Sequence, residues 1–304
     1  MIAAPPLKND CFALPPGVDW VPVADALARL EASVTPVVGR ETVPLGQAAG
    51  RVLADPAIAR RASPPHANSA IDGYGFAGPA GAGVHEMPLA EGRAAAGVPF
   101  AGAVPEGHAL RILTGAILPE GLDTVVLQED VVEEGGRIAF RGPLKRGANT
   151  RPAAEDVAEG ATLLPAGRRL TPPDLALLAS AGLSDLPVFA RLRVGVLSNG
   201  DEVVPPGAVA PADMAAGRIY DANRHMLLAQ VAQWGFAPVD LGHAPDDRAG
   251  LRAKLDGARG RVDAILSSGG VSTGDEDHVS ALLAAEGRLD TWRIAVKPGR
   301  PLAL

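Results

Sequence analysis

From residue 191 onward the chain alternates between short apolar runs and segments of helix length, and this alternation restricts the fold more than any other feature. Leu192 to Leu197 predicts a buried strand, and Asp221 to Trp234 predicts a helix closed by Gly235. Phe236 to Leu241 predicts a strand, Asp247 to Leu255 a helix, and Val262 to Ser267 a strand. A helix over 276–286, closed by Gly287, and a strand from Trp292 to Val296 complete the series. Parallel strands joined through helices need right-handed crossovers, so these segments predict an α/β domain with a parallel-dominated sheet flanked by helices.

The residues before 191 follow a different pattern. Residues 1–18 hold Pro5, Pro6, Pro15 and Pro16 without periodicity and read as a loose tail. Val23, Leu27, Leu30 and Val34 recur at helical spacing, which predicts one amphipathic helix that Pro36 stops. Residues 42–62 predict a strand and a helical turn. Over 63–155, short runs such as Leu110 to Leu113, Thr124 to Leu127 and Arg137 to Phe140 are bounded by Gly and Pro, which predicts a β-rich module. Thr171 as N-cap, Pro172 at the first helical position, Asp174 in a capping-box-like place and Gly182 at the close predict a helix over 171–182. Aromatic residues make up only 4% of the chain, so Ala, Val and Leu must fill the cores.

Charge and cysteine content exclude several function classes. A net charge of −7 argues against a chain-wide role on nucleic acid or a membrane surface, because polyanions need a basic face. The single cysteine, Cys11, excludes an internal disulfide framework and any multi-cysteine metal site. No apolar run reaches the ~18 residues of a spanning helix, and the N-terminus lacks the apolar core of a signal peptide. A cytoplasmic protein is expected.

In open α/β sheets ligands bind beyond the carboxyl ends of the strands. Four loops should meet there: Ser198 to Glu202, Gly242 to Asp247, Ser268 to Asp277, and Lys297 to Pro301. In the third, Gly269 and Gly270 let backbone N–H groups approach an anion closely, and the following helix points its N-terminus at the same place. Lys297 and Arg300 can neutralise phosphate charge, while Glu202, Asp246 and Asp277 offer hard oxygen ligands suited to Mg²⁺. Each has a plainer reading: Asp246 and Asp277 as helix caps or macrodipole partners, His243 as a polar surface residue, Lys297 and Arg300 as solvated charges. Convergence of four polar, glycine-bearing loops favours a phosphorylated substrate held with a metal.

Asn68-Ser69-Ala70-Ile71-Asp72-Gly73-Tyr74 resembles the Asn-Ser-Ala-Met-Asp-Gly-Tyr signature of the molybdopterin molybdenumtransferase family, the bacterial MoeA proteins and the gephyrin E domain. Further similar motifs follow in order: Arg111 to Ala116, Gly147 to Asp156, Ser198 to Glu202, Ile219 to Asn223, Ser267 to Gly274 with Asp277, and Lys297 to Pro301. The resemblance spans roughly residues 20 to 304. It implies that molybdenum enters adenylylated molybdopterin from molybdate, with Mg²⁺-dependent release of AMP. It implies catalytic roles for Asp72, Thr114, Asp156, Glu202 and Asp277. Arg151, Ser198, Gly200, Asp246, Ser268, Gly269, Gly270, Ser272, Lys297 and Arg300 would bind substrate, and Glu202, Asp246 and Asp277 the metal. It also implies a homodimer in which the inserted module of one subunit closes the site of the other.

The implied organisation is multidomain α+β: a discontinuous elongated domain (19–59 and 156–190), an inserted β-rich module (60–155) and an α/β molybdopterin-binding domain (191–304). Departures from the family pattern are Ala67 for the usual Asp, Asn199 for the usual Thr, and an arginine-poor stretch before Glu155-Asp156. Family members also continue into a Gly-Leu-Pro-Gly-Asn-Pro segment and a C-terminal β-barrel domain, so a C-terminally truncated chain is expected. Two other readings stay open here: a molybdopterin adenylyltransferase, which is also a conceivable partner, and a non-catalytic scaffold.

Overall fold

The computed structural model describes residues 21–269, 278–279, 282, 285, 291–294 and 301–303, the last two strand segments by backbone. The chain divides into two compact units: Arg40–Phe189, and the residues before Arg40 joined with those from Ala190 on. Its elements, in chain order, begin with α1 (Val23–Ser33), β1 (Arg40–Pro44), β2 (Ala57–Ile58), β3 (Asn68–Ser69), β4 (Gly73–Phe76), β5 (Ala80–Ala94) and β6 (Ala109–Ile112). There follow β7 (Thr124–Leu127), β8 (Val131–Glu134), β9 (Arg137–Leu144), β10 (Thr150–Arg151), β11 (Thr162–Leu164), α2 (Pro172–Ser180) and β12 (Asp185–Phe189). The remainder are β13 (Arg193–Asn199), β14 (Val203–Val204), β15 (Ile219–Tyr220), α3 (Ala222–Gln233), β16 (Ala237–Ala244), α4 (Arg248–Ala258), β17 (Ala264–Ser268), β18 (Thr291–Arg293) and β19 (Pro301–Ala303).

The Arg40–Phe189 unit is β-rich, as the Gly- and Pro-bounded runs predict. Six strands form one mixed sheet in the order β7-β4-β6-β5-β9-β8, in which only β5 and β6 run parallel. Successive residues of a strand point to opposite faces, and both faces of the central strands are covered. Tyr74, Phe76, Ala109 and Val126 pack with Ile138 and Phe140 on one side, and Leu110, Ile112 and Val125 with Leu122 on the other. A second core joins residues from before and after this sheet: Val43, Leu53, Leu164, Leu178, Leu186 and Val188. The pairs β1–β12 and β2–β11 tie the two ends together. Helix α2 begins as its capping signals predict: the Asp174 carboxylate accepts from the Thr171 N–H at 2.8 Å and from its hydroxyl at 2.7 Å.

The second unit holds the alternating segments. Three strands pair in parallel in the order β16-β13-β17. Helix α3 covers one face through Val194, Val196 and Val231, and α4 covers the other through Leu197, Leu241, Leu251 and Ala258. Helices fall on opposite faces because the chain crosses to β16 on one side of β13 and to β17 on the other, each time with the same hand.

One expectation is corrected. The strand expected over Trp292 to Val296 does not extend the parallel sheet: β18 pairs antiparallel with β19 in a separate two-stranded ribbon, its edge satisfied by a neighbour close in sequence. Helix α1 lies in the same compact unit as the three-stranded sheet, and Val21 just before it bridges Ile294. Its apolar stripe is largely unburied. Only Ala26 is enclosed, and Leu27 remains 60% exposed.

Candidate active site

In the β-rich unit the site is built around the Asp72-Gly73-Tyr74 turn into β4. Gly73 is required there because β4 lies between β6 and β7, and a β-carbon would be placed on the Val126 carbonyl oxygen. The strand can therefore start at once, leaving Asp72 at its mouth. Thr114, from the loop after β6, donates to Asp72 Oδ1 through both its backbone N–H (2.7 Å) and its hydroxyl (2.7 Å). These two bonds, the backbone one foremost, hold the Asp72 carboxyl below its ordinary range despite some burial, and Arg111 adds to the effect. Two residues for which the resemblance implies catalytic roles, Asp72 and Thr114, are thus in direct contact.

Beside them lies a group the sequence did not single out by role. The Arg111 guanidinium stacks 4.9 Å from the Tyr74 ring centroid and donates to Gln128. The buried Tyr74 hydroxyl donates to Glu133 at 2.6 Å. Burial, then the Glu133 carboxylate, raises the phenol above its ordinary range. Arg111 and Tyr74 are register partners on β6 and β4, so the stack follows from strand pairing and was invisible to motif reading. Arg151 is engaged: its Nε donates to Glu155 at 2.5 Å and its Nη2 to Asp156 at 2.6 Å. The two expected residues Arg151 and Asp156 thus meet each other as an ion pair.

In the α/β unit, the first two expected loops and the described start of the third, Ser268–Gly269, meet. Ser198 pairs in register with His243 on one side and with Ser268 on the other. The Asp201 N–H donates to the Asp246 carboxylate at 3.0 Å, and the Asp246 N–H donates back to Asp201 at 3.2 Å. His243 Nε2 lies 2.8 Å from the Gly200 carbonyl. Gly269 has φ +106°, and a β-carbon there would stand 2.8 Å from Asn199 Oδ1. The glycine is thus needed for close approach of the third loop to the first. Glu202 is exposed and folds back over Gly200.

Ser198 takes a role other than the expected one. It is fully buried, and its hydroxyl donates to Asp221 at 2.6 Å, so it braces the loop from beneath. Asp221 caps α3, accepting from the Arg224 N–H at 3.2 Å, and Arg224 Nε donates to it at 2.9 Å. Burial pushes the Asp221 pKa up, but the Ser198 and Arg224 hydrogen bonds outweigh it and leave the carboxyl below its ordinary range. An Asp followed three residues later by Arg at a helix start is a readable signal for this pair.

The expected Gly270, Ser272, Asp277, Lys297 and Arg300 lie outside the described residues. Among the described residues no three His, Cys, Asp or Glu side chains gather into a metal-holding group. Glu202 and Asp246 share the loop edge, but Asp246 is turned to the Asp201 N–H. The described side chains therefore do not by themselves make the expected Mg²⁺ site.

Comparison with known proteins gives concordant results. Residues 21–182 match the family profile "MoeA N-terminal region (domain I and II)", and residues 195–304 match "Probable molybdopterin binding domain". The chain is 38% identical over 271 residues to a Haemophilus influenzae protein named molybdopterin molybdenumtransferase, covering 86% of this chain and 64% of that one. A Nostoc protein of the same name is 35% identical over 274 residues, covering 87% of this chain and 61% of that one. The chain thus spans somewhat under two thirds of these relatives' length. The solved structure of the molybdopterin biosynthesis moeA protein from Pyrococcus horikoshii OT3 superposes with a TM-score of 0.79 at 29% identity, covering 94% of this chain and 72% of that one. No described helix is long and apolar enough to cross a membrane.

Proposed function

The chain belongs to the MoeA family, and from that premise we propose that it serves molybdenum cofactor biosynthesis as a molybdopterin molybdenumtransferase. The substrates in this reading are adenylylated molybdopterin and molybdate. Water attacks the adenylyl phosphorus, the phosphoanhydride bond breaks and AMP leaves; the two dithiolene sulfurs that the pterin itself carries then replace an oxo ligand of molybdate, which departs as water with the two thiol protons. The observation that carries the reading is the meeting of the Gly200–Asp201, His243–Asp246 and Ser268–Gly269 tips, which leaves closely packed backbone where a phosphate group would be held. Asp72, kept ionised by Thr114, supplies the carboxylate the family signature calls for.

The finer parts of the reading are the domain division 19–59 with 156–190, 60–155 and 191–304, a cytoplasmic setting and a homodimer whose partner brings the Asp72 turn to these loops. Mg²⁺ belongs to the same reading and would screen phosphate charge. Among the described residues Asp201, Glu202 and Asp246 lie near the loop edge, Asp277 is the further ligand the reading calls for, and no step is routed through the ion. A molybdopterin adenylyltransferase would supply the substrate, acting upstream. The match over 21–182 covers the inserted module and so disfavours the adenylyltransferase reading for this chain itself.

The test is AMP release from adenylylated molybdopterin with molybdate and Mg²⁺. Asp72→Ala should abolish it without unfolding the chain, and Asp277→Asn should weaken its Mg²⁺ dependence. Wild-type-like AMP release by Asp72→Ala removes Asp72 from the chemistry. An unaltered Mg²⁺ titration in Asp277→Asn leaves that residue as a helix cap.

A further inference from the structure

Strand β16 carries a bulge. Val196 of β13 faces Asp240 and Leu197 faces Gly242, so Leu241 is one residue too many. Gly242 sits at φ +75°, the left-handed conformation such a bulge needs. Leu241 packs over Gly195, where a β-carbon would stand 2.6 Å from its Cδ1. A bulge shifts every later side chain to the opposite face from where an unbroken strand would place it. The residues so shifted are His243, which reaches the Gly200 carbonyl, and the Asp246 loop, which exchanges hydrogen bonds with Asp201.

One side chain clamps this bulge. Arg224 Nη1 donates to both Asp240 oxygens at 2.9 Å, while its Nε donates to Asp221 at 2.9 Å. Asp240 in turn accepts from the Gly242 N–H at 2.8 Å. Arg224 is nearly enclosed, with 12% of its side chain exposed, and Asp221 is fixed by capping α3 and by the buried Ser198 hydroxyl. The clamp therefore joins a helix start, the tip of β13 and the bulge of β16. We propose that Arg224 and Asp240 are positioning residues that hold the bulge and thereby aim His243 and Asp246 at the Gly200–Asp201 loop. Neither has to touch substrate. A planar guanidinium can bridge two carboxylates, which a lysine ammonium cannot do with the same geometry. Only the choice of AMP as a probe rests on the functional reading above.

The test follows the His243 imidazole by ¹⁵N NMR, its signals assigned by their loss in His243→Asn, with AMP affinity measured alongside by calorimetry. Arg224→Gln should move the His243 signals and weaken AMP binding about tenfold, as loss of a supporting partner commonly does. Arg224→Lys should recover only part of either. Asp240→Asn keeps an acceptor for the Gly242 N–H and should leave the His243 signals near those of the wild type, whereas Asp240→Ala should move them. If Arg224→Gln lowers the melting temperature but leaves His243 and AMP affinity unchanged, the clamp is merely structural and the proposal falls. If Arg224→Gln does not fold, the Asp240 pair decides, and identical His243 signals in Asp240→Asn and Asp240→Ala overturn it. Failure of the wild type to bind AMP would count against the functional reading, while the His243 signals would still judge the clamp.

Discussion

Asp72 and Asp221 each sit in a motif shared with the family, and each has a depressed pKa, yet they do opposite things. Asp72 stands at the mouth of a strand, and among the described residues its hydrogen bonds come from Thr114 to one oxygen, Oδ1, with Arg111 acting only through its charge. Asp221 is 3% exposed and spends both oxygens on Ser198 and on the backbone and guanidinium of Arg224. The difference shows that a lowered pKa marks an interaction, not a function. Whether such a carboxylate presents chemistry or supports it depends on how many of its acceptor positions the fold consumes.

Substitution should separate the two most sharply in stability. Asp221→Ala removes the α3 cap and one partner of a buried ion pair, and should cost about 3 kcal/mol, read from urea unfolding. A loss too small to shift the unfolding curve would mean the network is not holding the sheet. Gly73→Ala should come next, at about 2–3 kcal/mol, because β4 must move away from β7 to admit the new methyl. A native-like melting curve would show that the β4–β7 pairing gives way freely. Asp174→Ala, which removes the capping box of α2, should cost about 1–2 kcal/mol.

The Asp174 effect carries a pH signature. The Thr171 N–H, then its hydroxyl and Arg168, hold this carboxyl below its ordinary 3.8 in the folded chain. A depressed folded pKa stabilises above the unfolded value, so the contribution is complete above about pH 4 and is lost as pH falls through the folded value. The gap between Asp174→Ala and the wild type should therefore shrink only in acid, and a gap that closes near neutrality would contradict it. Asp72→Ala should have the smallest effect on stability and the largest on AMP release. Because Thr114 keeps Asp72 ionised, the pH–rate profile should show no acid limb from this group above its ordinary 3.8. A limb that vanishes in Asp72→Asn would show the opposite.

Much of this was legible along the chain. The strands and helices from Leu192 to Ser267 follow from apolar runs and caps, and β13, α3, β16, α4 and β17 lie within a few residues of those expectations. The resemblance singled out Asp72 and Thr114 separately, but their contact, across 42 residues of sequence, came only from the fold. The Tyr74–Arg111 stack, the burial of Ser198 and the Arg224 clamp were not legible, because each depends on which strands pair and in what register.

Local sequence by itself determined the helix caps and the strand segments. These depend on backbone sterics and on hydrogen bonds between near neighbours. Tertiary structure alone decided that β16 slips by one residue at Leu241, that β18 leaves the parallel sheet, and that the stripe on α1 stays half exposed. Those outcomes turn on which distant partner satisfies a strand edge or covers an apolar face, and no window of adjacent residues contains that competition.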